Sequence, residues 1–595
     1  MADDGVKPDY KLSFYQGLPS SMDADYGHMN KGGYFSGQRV NSGQLAVTTD
    51  PRTANIIKEV NDKLNTGVKN VELTLIQTQL MQSVPKQYFE EARRVAKLGG
   101  AEVSVHGPLV EPSGIGQRGF SEEDRQAVER QIVDALTRVQ PLNPDGNTLV
   151  TFHSALSIPP PTTMKEGGKE VIKQQVIVER ETGRPVEMLK AEEKYYPGEG
   201  KKKIDIYEQI NEYNQTMWNH KITESLYYKD HADRILEGSY DNIKTFYKRI
   251  ETGEINRDKL TDDQKIVHNK AVEAQQYLER VDRDLKNLFN TAYKIGTEEE
   301  KIKLAKFSQQ YKEDLGKADK YELEKKSAAL QNLLTNLRVI QPKLFDTLDT
   351  FALEKTAKTF GDSAFEAYKK FGNKAPIIAI ENPPADQSAF SRAEDLKKVI
   401  EKAREDFVEK AMKEKGMDRS SASKAAEKLI GATWDVGHIN LIRKFGYDEA
   451  DVVKETGIIA PFVKHVHLSD NFGIEHAELP MGMGNVPFEE MMKKLGKTGE
   501  KVTKVIEAGN WFSSQLGTQV PFRESLIGMG SPIYSMKAPY WNQTNGLYQE
   551  YYGGYGRFLP DINYETFGAG FTQLPMELGG NRQQGRGRMS GTPME

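Results

Sequence analysis

From residue 43 onward, short and nearly continuous apolar runs alternate with segments of helical spacing. This rhythm constrains the fold more than any other feature of the 595-residue chain. Leu45-Ala46-Val47, Val68 to Leu75, Ala101 to Val105 and Leu149 to Phe152 read as strands. Between them, 52–65 carries Ile56, Ile57, Val60 and Leu64 at helical spacing, with Asp50-Pro51 as its expected start. Residues 86–98 read as a helix ended by Gly99-Gly100, and Ser121 to Val139 as one opened by a capping box of Ser121 and Asp124. The rhythm stops near 155 and resumes at 376. Ile377 to Ile380, Ala432 to Val436, Val463 to Leu468 and Val502 to Ile506 are the later strands. Helices are expected over 391–415, 448–457, 487–495 and 517–527.

Strands that are apolar on both faces belong to a parallel sheet covered by helices. Eight β-α units predict an α/β fold, a (β/α)8 TIM barrel interrupted once after its fourth strand. The expected organisation is an irregular arm over 1–41, a first barrel half over 42–155, an insertion over 156–375, a second half over 376–529 and a Tyr/Gly-rich tail over 530–595. The insertion opens with Pro159-Pro160-Pro161. A hairpin follows, with Gln175 to Glu181 and Val186 to Lys190 around Thr182-Gly183-Arg184. From 203 to 372 the sequence is polar, charge-balanced and helical in spacing, which reads as a helical hairpin or bundle with solvated faces. Because it leaves the barrel after the fourth strand, it is expected to overhang the catalytic mouth. The dense tyrosines of the tail would suit a segment that wraps the barrel or folds on a protein partner.

Composition excludes several classes. Acidic residues exceed basic ones by five (86 against 81), so the chain is not a globally basic nucleic-acid binder. It has no cysteine, which excludes disulfides, thiolate zinc sites, iron–sulfur clusters and cysteine nucleophiles. No run approaches 18 apolar residues, and the start lacks a basic and apolar leader. No membrane span is therefore expected, and the expected location is cytoplasmic.

The chemistry is carried by the strand ends. Of ten histidines, His106, His153, His438, His465, His467 and His476 fall in barrel segments. The third strand ends at His106 and the fourth at His153. The fifth runs into Glu381, the sixth into Asp435 with His438 three residues on, the seventh into His467 and the eighth into Glu507. In a closed barrel those ends converge on one mouth. Carboxylates crowded there would repel one another and raise each other's pKa, and a divalent cation removes that conflict. Imidazole and carboxylate donors without sulfur suit Zn²⁺ or Mn²⁺ before Mg²⁺ or Co²⁺. His465 faces the same way as His467 but one layer deeper, as a partner of the ligands or a core residue.

The blocks VSVHGPLVEP (102–111), TFHSA (151–155), IAIENPP (378–384), WDVGH (434–438), VKHVHLSDN (463–471), HAELPMGMGNVPF (476–488) and VIEAGN (505–510) resemble those of the xylose-isomerase-like TIM barrels. The resemblance covers roughly 43–155 and 376–527. Its sugar isomerase and epimerase branch implies one metal held by Glu381, Asp435, His467 and Glu507, with the two glutamates shuttling a proton between adjacent sugar carbons. Its endonuclease IV branch implies a trinuclear zinc site that adds His106, His153 and His438, and a phosphodiesterase acting on abasic-site DNA. All three added histidines are present, so the pattern is closest to that branch. The chain departs from it at the Asp-x-His pair, where His476 and Glu478 stand with the ligand types exchanged. The first expectation is therefore an endonuclease IV-like enzyme with His106, His153, Glu381, Asp435, His438, His467, His476 and Glu507 as metal ligands. Glu478 remains open, and Glu381 and Glu507 would be catalytic. The alternatives are a sugar isomerase or epimerase on one metal, and a barrel kept as a scaffold whose insertion and tail dock protein partners.

Overall fold

In a computed structural model, the structure describes residues 42–65, 68–198, 200–316, 322–509 and Ser525. The expected arm over 1–41, the tail over 530–595 and nearly all of the helix over 517–527 lie outside the described residues. Eight strands close into a parallel barrel. They are β1 (Leu45–Thr48), β2 (Asn70–Thr74), β3 (Glu102–His106), β4 (Leu149–His153), β5 (Ile377–Glu381), β6 (Ile430–Asp435), β7 (Val463–Leu468) and β8 (Thr503–Ile506). Closure is made by β1, which pairs with β8 on one side and β2 on the other. The apolar runs explain the closure. Val71, Leu73, Val105, Val150, Phe152, Ile378, Ile380, Trp434, Val466 and Val505 are all buried, as strands covered by helices require.

The helices follow the sequence with local corrections. The first runs Ile56–Leu64 and starts five residues after the expected Pro51. Asn55, not Asp50, caps it, accepting from the Lys58 backbone N–H at 3.2 Å. Asp50 instead turns onto Arg52, accepting its backbone N–H at 2.9 Å and pairing with its guanidinium at 2.8 Å. Ser121 does cap Glu122–Val139, accepting from Asp124 N at 3.1 Å. After β5 there are two helices rather than one. Ala393–Lys415 ends on the left-handed Gly416, and Asp418 then caps Arg419–Leu429 through Ser421 N.

The chain forms two compact units, one containing the barrel, up to Val171 and from Ala352 onward, the other Ile172–Phe351. The helix Leu348–Phe371 thus gives most of its length to the barrel unit. It fills the helix position between β4 and β5, with Phe360 against Phe152 at 6.4 Å between ring centroids. Thr359 Oγ1 donates to Pro112 O at 2.7 Å.

In the second unit, Lys169–Glu179 pairs with Pro185–Lys190 as a hairpin, and Phe345–Thr347 adds a strand on its other side. Five helices follow the hairpin: Ile206–Leu236, Tyr240–Glu251, Asp262–Ile295, Glu298–Gly316 and Leu323–Val339. Their core is built on Trp218, Leu278, Leu285, Leu330 and Leu337, and Trp218 Nε1 donates to Leu337 O at 3.0 Å. Replacing Trp218 with Ala is expected to lower this unit's stability by about 3–5 kcal/mol through the cavity left behind. Denaturant unfolding followed by circular dichroism checks this. An unchanged helical transition would mean that the core repacks around the gap.

Among the described residues no helix is long and apolar enough to cross a membrane.

Candidate metal centre

The barrel's register brings the chemistry-bearing side chains together. Thr74 pairs with His106, His153 with Glu381, and Asp435 with His467. Two residues earlier on the same strands, Glu72 pairs with Ser104, Thr151 with Ala379, and Thr433 with His465. Side chains alternate along a strand, so each set shares the barrel interior, one layer above the other.

In the upper layer, His467 Nδ1 lies 2.9 Å from Glu381 Oε1 and 2.8 Å from Glu507 Oε2. His106 Nε2 and His153 Nε2 lie 3.2 and 3.4 Å from the other Glu381 oxygen, Oε2. Asp435 is held from three sides. Its Oδ1 accepts from His438 N at 2.7 Å and Ser469 Oγ at 3.1 Å, and its backbone N–H donates to Asn382 Oδ1 at 2.8 Å. Gly437 makes room for this, because a Cβ there would meet Ser469 Oγ at 2.1 Å and Ser469 O at 2.8 Å.

His438, His476 and Glu478 stand to one side. His438 Nδ1 faces Asn382 O at 2.8 Å and must donate to it. Its Nε2 lies 2.9 Å from His476 Nε2. A proton on His476 Nε2 satisfies both rings directly. Glu478 Oε1 is 3.6 Å from His476 Nε2.

The electrostatics are those of crowded charge. Burial pushes Asp435 up, and Glu507 and Glu381 add to it, bringing it to about 7. Burial opposes protonation of His467, but Glu381, Glu72 and Glu507 outweigh it and push the ring well above the usual imidazole range. Burial likewise opposes His106, which Glu381 nevertheless raises to about 9. His153 is lowered to about 4 by burial and by the neighbouring His106 and His438, against the pull of Glu381. Of the two imidazoles facing Glu381 Oε2, one carries the proton.

Three donor groups come close enough to share an ion. They are Glu381/Asp435/His467/Glu507, His106/Glu381/His467 and Glu72/His465/His467, each with its ligand atoms within 4.8 Å of one another. Among the described residues the first alone has four donors. The fit to a divalent cation is also visible atom by atom. Glu381 Oε2 and Glu507 Oε2 are buried without a well-formed hydrogen bond, and a divalent cation would supply the partner they lack. A donor set of oxygen and imidazole nitrogen accepts Zn²⁺, Mn²⁺, Co²⁺ or Mg²⁺. His153, His438, His476 and Glu478 belong to none of the three groups.

Sequence reasoning missed Glu72. It is fully buried on β2, with Oε2 accepting from His465 Nε2 at 3.0 Å and Oε1 lying 3.2 Å from His467 Nε2. The available signal was a carboxylate inside the apolar run from Val68 to Leu75. His465 takes the deeper position expected of it, as the partner of Glu72. Ser469 and Asn382, which orient Asp435, were also not singled out.

No family model matches the chain. An uncharacterized protein of Methanocaldococcus jannaschii is 35% identical over 72 residues, which is 12% of this chain and 23% of that protein's length. Three solved structures this chain is similar to are a D-tagatose 3-epimerase-like protein, a D-psicose 3-epimerase and an L-ribulose 3-epimerase. A D-tagatose 3-epimerase-like protein gives a TM-score of 0.34 at 12% identity, covering 78% of this chain and 91% of that one. D-psicose 3-epimerase from Clostridium cellulolyticum H10 gives 0.36 at 8%, covering 83% and 100%. L-ribulose 3-epimerase gives 0.33 at 10%, covering 88% and 98%. Likeness at this level adds nothing to a barrel already read from its strand pairing. No link to endonuclease IV emerges from these comparisons.

Proposed function

We propose that the chain is a divalent-metal-dependent isomerase or epimerase of a small sugar, working through Glu381 and Glu507. The observation that carries this is the four-donor set Glu381/Asp435/His467/Glu507, the donor pattern of a single-metal site. The set is common to both enzymatic expectations, and for the second it is complete without any further ligand. The third cation of the endonuclease IV-like expectation would need His438, His476 and Glu478, and among the described residues these belong to no group whose ligand atoms lie close enough to share an ion. The similar structures named above are sugar 3-epimerases, in line with this reading, but the donor set carries it.

A bound divalent cation would supply Lewis-acid polarisation of a substrate carbonyl and its neighbouring hydroxyl. The chain's own residues do the rest. One glutamate takes the proton from the carbon beside the carbonyl. The other returns a proton to the opposite face of that carbon, or to its neighbour, with no net change in oxidation. Glu381 is fully buried, and the Glu507 side chain is 19% exposed, so Glu507 is the one that exchanges its proton with solvent. Asp435 is fixed by Ser469, His438 and Asn382 and serves only to hold the ion.

The second reading, a multinuclear phosphodiesterase on abasic-site DNA, rests on one observation. His106 and His153 both aim Nε2 at Glu381 Oε2, and the three side chains could help hold a second cation. Metal content of the purified chain, with deuterium exchange at the carbon beside the carbonyl of a ketose panel in heavy water, tests both. About one metal per chain and ketose exchange that is lost in Glu507→Gln is expected. Two or three zinc per chain with incision of abasic-site duplex would overturn the epimerase reading. No metal after reconstitution would leave the scaffold, with insertion and tail as docking surfaces for proteins.

A further inference from the structure

An imidazole can present a lone pair at only one of its two nitrogens while neutral. His467 sits between two layers, and its nitrogens face different groups. Nδ1 faces Glu381 and Glu507 at 2.9 and 2.8 Å, inside the four-donor set. Nε2 faces down to Glu72 Oε1 at 3.2 Å, a contact short of a well-formed hydrogen bond, and neither buried atom has another hydrogen-bond partner. Glu72 is itself held in place. Its Oε2 accepts from His465 Nε2 at 3.0 Å and from Ser104 Oγ at 3.3 Å, and the carboxylate is fully buried. Elsewhere in this layer the barrel places Thr151 and Thr433, which bond to each other at 2.9 Å. Filling this layer therefore does not require a carboxylate, and a buried one is costly unless it is paired.

We propose that Glu72 is a positioning residue that fixes His467 as the Nε2–H form, so that Nδ1 is the nitrogen offered to the cation. This rests on the reading of Glu381, Asp435, His467 and Glu507 as the cation-binding set. Glu72 is not one of the four donors. It acts through the imidazole, orienting the ring and raising the basicity of Nδ1, as carboxylates behind ligating histidines do. His465 and Ser104 stop the carboxylate from rotating away. This also gives His465 a role, since it holds the residue that holds the ligand.

The test uses the full chain, stripped by chelator and titrated with Co²⁺, whose visible absorption reports its ligand field. Affinity is read by competition with a chelating dye. Glu72→Gln keeps the volume and an acceptor but removes the charge, Glu72→Leu removes the acceptor, and Glu72→Asp restores the carboxylate. Co²⁺ affinity is expected to fall about 10–100-fold in the first two, with a shifted absorption band, and to recover in part in the third. Failure of the wild type to bind Co²⁺ would sink the cation reading itself. Wild-type binding with unchanged affinity and band in Glu72→Gln and Glu72→Leu would overturn only the role of Glu72. If the variants do not fold, long-range nitrogen NMR of the Zn²⁺-loaded wild type decides. A proton on His467 Nε2 supports the proposal, and a proton on Nδ1 overturns it.

Discussion

Glu381→Gln is expected to reduce turnover by about 10³-fold or more and to strip the metal from the purified chain. Glu381 is the hub of the mouth, with one oxygen 2.9 Å from His467 Nδ1 and the other within 3.4 Å of both His106 and His153. The amide keeps the shape but loses the charge that attracts a cation and the basicity that removes a proton. Both enzymatic readings therefore predict inactivity, whereas a pure scaffold would assemble unchanged. His106→Ala separates the two enzymatic readings. His106 lies outside the four-donor set, so a single-metal enzyme should keep its metal and much of its activity. A multinuclear one should lose stoichiometry. Steady-state kinetics and metal content on the same preparations read both effects. Full activity in Glu381→Gln would end the enzymatic readings.

Glu455→Ala is expected to destabilise the barrel unit by about 3 kcal/mol, at the lower end of the cost of breaking a buried ion pair. Glu455 is buried in the helix Glu449–Ile459, where Oε1 accepts from Arg392 Nε and Nη2 at 2.9 and 2.6 Å. Its other oxygen accepts from Ala393 N at 2.7 Å, closing the start of the helix Ala393–Lys415. Removing it orphans a backbone N–H and a mostly buried guanidinium. The loss is tempered because Arg392 is one-quarter exposed and keeps Glu170 at 2.9 Å. Glu455→Gln should cost less, since it retains acceptors for both. Denaturant midpoints in the order wild type, Glu455→Gln, Glu455→Ala are expected. Coincident midpoints for wild type and Glu455→Ala would mean that this cluster contributes nothing to the barrel.

The eight strands were legible because burial demands short apolar stretches, as in Leu45 to Val47 and Ile377 to Ile380. The strand-end residues were legible for a related reason. In a parallel barrel every strand ends at the same rim, so a polar residue just past each run reaches one mouth. The unit boundary near Ala352 was not legible. The helix Leu348–Phe371 has the same charged, periodic sequence as its neighbours, and tertiary contacts such as Phe360 against Phe152 and Thr359 on Pro112 O assign it to the barrel unit. The start of the first helix was misplaced because Asp50 had a nearer partner in Arg52.

By itself, then, the sequence determined the barrel and the identity of the residues at its mouth, since both follow from local periodicity and chain order. Only the tertiary structure decided which of those residues share an ion and what stands behind them. Glu72 and His465 are 393 positions apart, and no local pattern distinguishes a carboxylate waiting for a distant imidazole from one pointing at water. Their pairing depends on the closure that brings β2 and β7 into one interior. The gathering of four donors, with His438 turned instead to His476, depends on strand register. Register is a relation between strands, and the sequence of any one strand does not contain it.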